Sequence, residues 1–193
     1  KTHYVLYIPE ANMTIGKLFD IAEGASVTYQ IDNGEAQTTS AAITSYSFTT
    51  SGWHQIIVSG DSGVCSRDLS SFSWTFAEYG EYVKVREIYL SLTDSLESGA
   101  FANYRGLSII TIPHGITTIN KYAIYATSVL HLVIPDTVTS VGTYLAYDNY
   151  VLVSVSLPKS VGTGLGTDRI FNYCYQLTGI TFPEGITTLL SST

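Results

Sequence analysis

One phrase recurs through the C-terminal half, and it constrains the fold more than any other feature. It reads Leu107-Ser-Ile-Ile110-Thr-Ile112-Pro113, then Val129-Leu-His-Leu132-Val-Ile134-Pro135. It returns as Leu152-Val-Ser-Val155-Ser-Leu157-Pro158 and as Leu177-Thr-Gly-Ile180-Thr-Phe182-Pro183, with the prolines 22, 23 and 25 residues apart. A second phrase follows each proline: Ile116-Thr-Thr-Ile119-Asn120, Val138-Thr-Ser-Val141-Gly142 and Ile186-Thr-Thr-Leu189. The stretch from Val161 to Gly166 is the third copy, with one extra residue. A third phrase leads back to the strand. Ala100-Phe101 with Tyr104, Ala123-Ile124 with Thr127, Ala146-Tyr147 with Tyr150, and Ile170-Phe171 with Cys174 occupy equivalent places.

Alternating apolar residues such as Ile110/Ile112 and Val155/Leu157 give a short strand with one buried face. The proline after them has no N–H and ends the ladder. The Ile/Val-Thr-x-Ile/Val unit is a second short strand. Gly142 and Gly166 close it, with Asn120 at the same point, so a corner with positive φ is expected there. The Ala-Phe unit reads as a single helical turn that lays an aromatic inside. A unit of about 23 residues cannot bury its own apolar face, whereas stacked copies can, as a solenoid of parallel ladders.

The pattern Ala-Phe-x-x-Cys-x-x-Leu-x-x-Ile-x-x-Pro followed by Val-Thr-x-Ile-Gly resembles the BspA-type leucine-rich repeat of bacterial surface proteins. The run from Ile170 to Pro183 matches it best. The resemblance covers residues 88–193. The second copy departs most, with Ile124 for Phe, Thr127 for Cys and one residue fewer. The resemblance implies a bacterial cell-surface or secreted protein that adheres to a host or extracellular-matrix protein.

Residues 1–87 lack this period. Short β-rich runs at His3–Ile8, Val27–Ile31, Ile43–Phe48 and Trp53–Val58 alternate with turn signals, and Asp32-Asn33-Gly34 is a hairpin signal. A small β-sandwich is expected, similar to PKD or other immunoglobulin-like modules on the stretches Tyr29–Gly34 and Tyr46–Val58. Residues 61–71 read as a loop. Val83–Leu92 reads as the strand that starts the solenoid, its open edge covered by the sandwich. The expected fold is thus mainly β: a sandwich over 1–87, then a short leucine-rich-repeat solenoid over 88–193 with parallel strands and single helical turns.

Charge narrows the function. With 9 basic and 16 acidic residues the net charge is −7, which argues against a nucleic-acid footprint. No apolar run reaches the roughly 20 residues of a membrane helix, so no membrane insertion is expected. Gly60-Asp61-Ser62-Gly63 matches the surroundings of a protease nucleophile but has no accompanying base segment, and reads as a turn. His3, His54, His114 and His131 lie at no metal-binding spacing. Gly162-Thr-Gly164-Leu-Gly166 lacks the strand and helix of a phosphate loop, and Cys174 reads as a buried inert thiol. The expectation is a non-enzymatic protein without a cofactor or metal.

The 15 tyrosines are the stronger functional signal, because Tyr joins a rigid apolar body to a polar tip. By repeat phase Tyr147 should point inward beside Phe101 and Phe171. Tyr122, Tyr125, Tyr144, Tyr173 and Tyr175 should be exposed at least in part. Outward strand positions form a second candidate surface: Thr111, Val133, Ser156 and Thr181 on one line, with Ile109, His131, Ser154 and Gly179 beside them. Two alternatives to protein adhesion are a glycan-binding module using the tyrosines and a structural stalk or spacer.

Overall fold

The computed structural model describes residues 1–60, 84–91, 95–160 and 169–186, and the backbone of 64–66. The Gly162–Gly166 loop, the Asp61–Gly63 turn and most of the Ile186–Leu189 strand lie outside the described residues.

The N-terminal part is a two-layer β structure. Its main sheet has β1 (Thr2–Ile8) at the centre, antiparallel to β7 (Gly52–Ser59), which pairs with β4 (Val27–Ile31), which pairs with β5 (Gln37–Thr39). Along β1, Thr2, Tyr4, Leu6 and Ile8 are buried while Tyr7 is exposed, the two-residue period of a half-buried strand. Two short pairs cover the inner face: β2 (Met13–Gly16) with β6 (Ser45–Phe48), and β3 (Phe19–Ile21) with β8 (Val64–Ser66). Tyr4, Phe19, Tyr46 and Tyr29 pack ring to ring between the layers. The existence of β8 corrects the reading of 61–71 as a continuous loop.

His54 is buried in this sandwich. Its Nδ1 lies 2.7 Å from Asp32 Oδ2 and its Nε2 lies 3.1 Å from the Thr50 carbonyl. Asp32, at φ 50°, also accepts from the Gln55 backbone N–H. The Asp32-Asn33-Gly34 signal therefore does open a hairpin, with Gly34 N–H bonding Ile31 O, but the connection runs to Gln37.

Strand β9 (Val85–Tyr89) joins the two parts. It is antiparallel to β1 on one edge and parallel to β11 (Ile109–Thr111) on the other, with a bulge opposite Val5/Leu6. The first coil's edge is thereby paired, which removes the edge hazard of an open stack. One hydrophobic core runs without interruption from Tyr4 and Leu6 to Val155 and Ile170.

Each solenoid coil has three sides. The first side continues with β13 (His131–Val133), β15 (Ser154–Ser156) and β16 (Gly179–Thr181), which form a parallel sheet. The central residues of β11, β13 and β15, namely Ile110, Leu132 and Val155, are buried, while Ile180 at the centre of β16 is exposed. The second side is the parallel stack of β10 (Ser95–Leu96), β12 (Thr118–Ile119) and β14 (Ser140–Val141), which bears out the second strand phrase. Pro113 and Pro135 sit between the sides, their carbonyls accepting from Ile116 and Val138.

The third side differs from expectation: no α-helix is present among the described residues. The turns close by bonds to the third preceding residue, such as Ala102 N–H to Gly99 O and Tyr104 N–H to Phe101 O. Other N–H groups reach the next coil: Phe101 to Ala123 O, Ile124 to Leu145 O and Ala146 to Ile170 O. Two positions per turn take positive φ, at Gly99, Tyr122, Tyr144 and Arg169, and at Asn103, Ala126, Asp148 and Tyr173. Left-handed residues interrupt a right-handed helix, and the freed N–H groups ladder sideways instead.

These bonds fix the register and correct the third copy. Phe101, Ile124, Ala146 and Phe171 are equivalent, and so are Tyr104, Thr127, Asn149 and Cys174. Tyr147 therefore does not point inward beside Phe101 and Phe171; Ala146 does, and is buried. Nor does Tyr150 take the Cys position. Asn149 does, 1% exposed. Its Oδ1 accepts from the N–H and hydroxyl of Thr127, and its Nδ2 donates to Ile124 O and Ala146 O. All four hydrogen-bonding sites of the amide are used.

The second copy is the short one, as its sequence indicates. Six residues separate Tyr104 from Ile110 and Asn149 from Val155, but five separate Thr127 from Leu132. There the first side breaks: β11 belongs to the sheet of β9 and β1, while β13 begins a separate sheet. The expected positive φ at Asn120 and Gly142 is not found. Gly142 is required for a different reason: a Cβ there would stand 2.3 Å from the Lys121 backbone nitrogen, a close approach only glycine permits.

Candidate functional site

The turn side of the solenoid carries a connected row of seven tyrosines. Tyr122 and Tyr144 stack at 4.9 Å and 11°, Tyr125 and Tyr147 at 5.8 Å and 24°, and Tyr150 and Tyr175 at 5.7 Å and 2°. Edge contacts join the stacks: Tyr122 to Tyr125 at 5.7 Å, Tyr144 to Tyr147 at 5.4 Å, and Tyr147 to Tyr173 at 5.0 Å. Tyr173 and Tyr175 lie 6.0 Å apart and complete the row.

The stacks follow from the repeat. Residues at the same place in successive coils lie one strand spacing apart, about 4.8 Å, which is close to ring-stacking distance. Tyr122, Tyr144 and Arg169 share one such line; Tyr125 and Tyr147 share the next. Arg169 caps its line, its guanidinium 5.9 Å from the Tyr144 ring centre and its Nη1 donating to the Tyr144 hydroxyl at 3.2 Å. Tyr144 thus has Tyr122 and Arg169 as its partners along the line.

The neighbours alter the phenols. Burial, then the Tyr144 ring nearby, holds Tyr122 above the ordinary phenol range. Tyr147 is raised by desolvation and by its hydrogen bond with Tyr173. Tyr150 is raised chiefly by its hydrogen bond to the Asp148 carboxylate. Arg105 pairs with that carboxylate at 3.2 Å.

The structure brings Tyr122, Tyr125, Tyr144, Tyr173 and Tyr175 together. Tyr173 and Tyr175 are exposed, the latter by 70%; Tyr122, Tyr125 and Tyr144 are half-buried. Sequence reading missed Tyr147, Tyr150, Arg169 and Asp148. The signal that places them is Asp148, which tolerates positive φ and so aligns with Asn103.

The outward strand residues divide in two. Val133, Ser156 and Thr181 are in register, and His131 Nδ1 lies 2.8 Å from Ser154 Oγ. Thr111 instead pairs with Tyr89, and Ile109 with Glu87. Through β9 that face continues onto the sandwich, where His3 packs on Tyr89 and Tyr7 on Trp53. The exposed Trp53 and Tyr7 were not singled out by the sequence.

Burial pushes the Cys174 thiol up to about 11, where the reactive thiolate is scarce at neutral pH, and its Sγ donates to Ala146 O. Among the described residues no three His, Cys, Asp or Glu side chains gather as a metal site. No described helix is long and apolar enough to cross a membrane.

A family model for the BspA type leucine rich repeat region matches residues 79–193 in six copies. The match begins ahead of the recurring phrases and takes in β9, the strand shared with the sandwich, but not β1 to β8. No curated protein matches the chain, and no solved structure matches it.

Proposed function

Because the chain belongs to the BspA-type leucine-rich repeat family, we propose that it is a non-enzymatic binding protein, secreted or held at a bacterial surface, that grips a host or matrix protein with its row of tyrosines. One observation carries this reading. Tyr122, Tyr144 and Tyr173 stand at φ 58°, 58° and 60°, where a side chain beyond Gly, Asn or Asp costs about 1–2 kcal/mol. Gly99, Asn103 and Asp148 fill equivalent places at less expense. The repeat imposes this conformation, and Ala126 and Arg169 share it; what folding does not explain is the choice of tyrosine at three of these positions, and strain of this kind gathers at functional sites.

The row also has the character of a recognition surface. Tyrosine offers wide contact area with few rotatable bonds, and its hydroxyl fixes orientation. Stacking against neighbours restrains the rings before any partner arrives, which lowers the entropy cost of binding. The immunoglobulin-like sandwich then serves as the base on which the solenoid stands.

The glycan alternative draws on Tyr175, whose ring is the most open of the seven. It is weakened at Tyr144, where Tyr122 stacks on one face a sugar would need and Arg169 holds the hydroxyl. A labelled sample applied to arrays of matrix proteins and of glycans separates the two: protein signals support the reading, glycan signals alone replace it, and blank arrays favour a spacer. Turnover of ester, peptide or glycoside substrates would overturn it.

A further inference from the structure

We propose that Tyr150 and Tyr175 form an oxidative cross-linking site, at which a one-electron oxidant from outside the chain joins the two phenols into dityrosine and ties adjacent coils together. The site goes beyond the binding reading and does not depend on it. Access, geometry and charge single out this pair within the row.

Tyr150 is 45% exposed and Tyr175 70%, so a soluble oxidant reaches both rings, whereas Tyr122, Tyr125, Tyr144 and Tyr147 are half-buried. The two rings stand on the turns of successive coils, 2° from parallel with centres 5.7 Å apart, and exposed side chains reorient on a fast timescale. Tyr173 is also exposed, but it lies farther from Tyr175, at 6.0 Å and tilted by 54°, and Tyr147 engages its hydroxyl. Charge decides between the two tightest stacks. A ring that loses an electron carries a positive hole unless its proton leaves too. The Tyr150 hydroxyl is hydrogen-bonded to the Asp148 carboxylate, a base placed to take that proton. Tyr122 and Tyr144 lie closer, at 4.9 Å, but there Arg169 donates to the Tyr144 hydroxyl and holds its guanidinium 5.9 Å from the ring centre. A fixed cation at that distance opposes loss of an electron.

Each phenol gives one electron to the oxidant and loses its hydroxyl proton, Tyr150 to Asp148 and Tyr175 to water. The two radicals spread onto the ring carbons beside the hydroxyl, Cε1 and Cε2, and one carbon–carbon bond forms there. Each ring recovers its aromaticity when the hydrogen on the bonded carbon leaves as a proton and the oxygen regains one. With a haem peroxidase as the oxidant, one hydrogen peroxide takes up the two electrons and two protons and becomes two waters. The bond closes a loop from residue 150 to residue 175, and a cross-link of that span stabilises by restricting the unfolded chain. It fastens the coil of β16, where Ile180 and Phe182 are exposed, to the coil of β15.

The test treats the purified chain with a haem peroxidase and hydrogen peroxide, and follows dityrosine fluorescence, intact mass and tryptic peptides. Fluorescence should appear in the monomer, on a species lighter by two hydrogens. Trypsin should then release segment 122–159 joined to segment 170–193, with fragmentation placing the bond between Tyr150 and Tyr175. Tyr150→Phe and Tyr175→Phe keep a ring in the stack, and each should abolish the joined peptide. Tyr7→Phe removes an exposed phenol elsewhere and should leave it intact. Oxidation of the urea-unfolded chain should cut its yield severalfold, because the pairing belongs to the folded stack. The cross-linked chain should also unfold at a higher urea midpoint than Tyr175→Phe treated alike. Absence of dityrosine, chains joined only to one another, or a bond at another pair overturns the proposal. So does a joined peptide that survives Tyr175→Phe or forms undiminished in urea.

Discussion

The rings of Tyr122 and Tyr144 stack within 11° of parallel although both residues hold left-handed backbone. The stack returns about 0.5–1.5 kcal/mol, and the backbone costs a similar amount at each residue. Two substitutions separate these terms. Tyr144→Ala and Tyr144→Gly both remove the ring, but only glycine relieves the positive φ. Denaturant unfolding should find the glycine variant more stable by about 1 kcal/mol. An alanine variant of greater stability would mean that the backbone there is unstrained.

Gly142 should tolerate no side chain. Gly142→Ala places a Cβ against the backbone of Lys121 and Asn120, at 2.3 Å and 2.7 Å from the nearest atoms. Neither can rotate away. The expected loss is about 1–3 kcal/mol, seen as a lower denaturation midpoint. Gly179→Ala is the control. Its Cβ would meet the Ser154 Cβ at 3.3 Å, and the loss should be smaller.

Asn149 should prove the costliest polar residue of the solenoid to remove. Asn149→Leu orphans the Thr127 N–H and takes one donor from each of the carbonyls of Ile124 and Ala146, which keep the Thr127 hydroxyl and the Cys174 thiol. An unsatisfied buried group costs about 1–3 kcal/mol, so the variant should lose about that much in urea unfolding. A loss below about 1 kcal/mol would contradict the assigned register.

The row also predicts an alkaline signature. Folding raises the phenols of Tyr122, Tyr147 and Tyr150 above their ordinary 10.0. In the window between the unfolded and folded values the unfolded chain has lost protons that the folded chain keeps, so stability falls as pH rises. The contribution is complete below about pH 10 and is lost above it. Absorbance of tyrosinate should show a group of phenols titrating late, and the midpoint in urea should decline above pH 10. Release of all phenols in one ordinary step would contradict the stacked arrangement.

Much of the fold is legible because the repeat leaves few choices. Ile110, Leu132 and Val155 each stand two residues before another apolar residue, Ile112, Ile134 and Leu157, and only stacking buries them all. The third copy misleads because Ala146-Tyr147 looks like Ala100-Phe101, while the left-handed places at Asn103 and Asp148 set the true alignment. The turns look helical because Ala, Phe and Tyr carry no visible breaker; the positive φ at Tyr122 and Tyr144 is imposed by ladders to the next coil. Five tyrosines of the row are read correctly as outward, but their stacking depends on register, which a one-residue shift conceals. The continuity through β9 is hidden for another reason: Val85 and Ile88 fit a sandwich strand as well as a first coil.

The central claim is that the tyrosine row is the contact surface. Its most direct measurement compares three proteins on the matrix-protein array: the wild type, a row variant carrying Tyr125→Ser, Tyr147→Ser and Tyr175→Ser, and a strand-face variant carrying His131→Ser and Val133→Ser. All three should give the same circular dichroism. The account predicts that the row variant loses the partners of the wild type while the strand-face variant keeps them. Retention of those partners by the row variant, with loss in the strand-face variant, would contradict it.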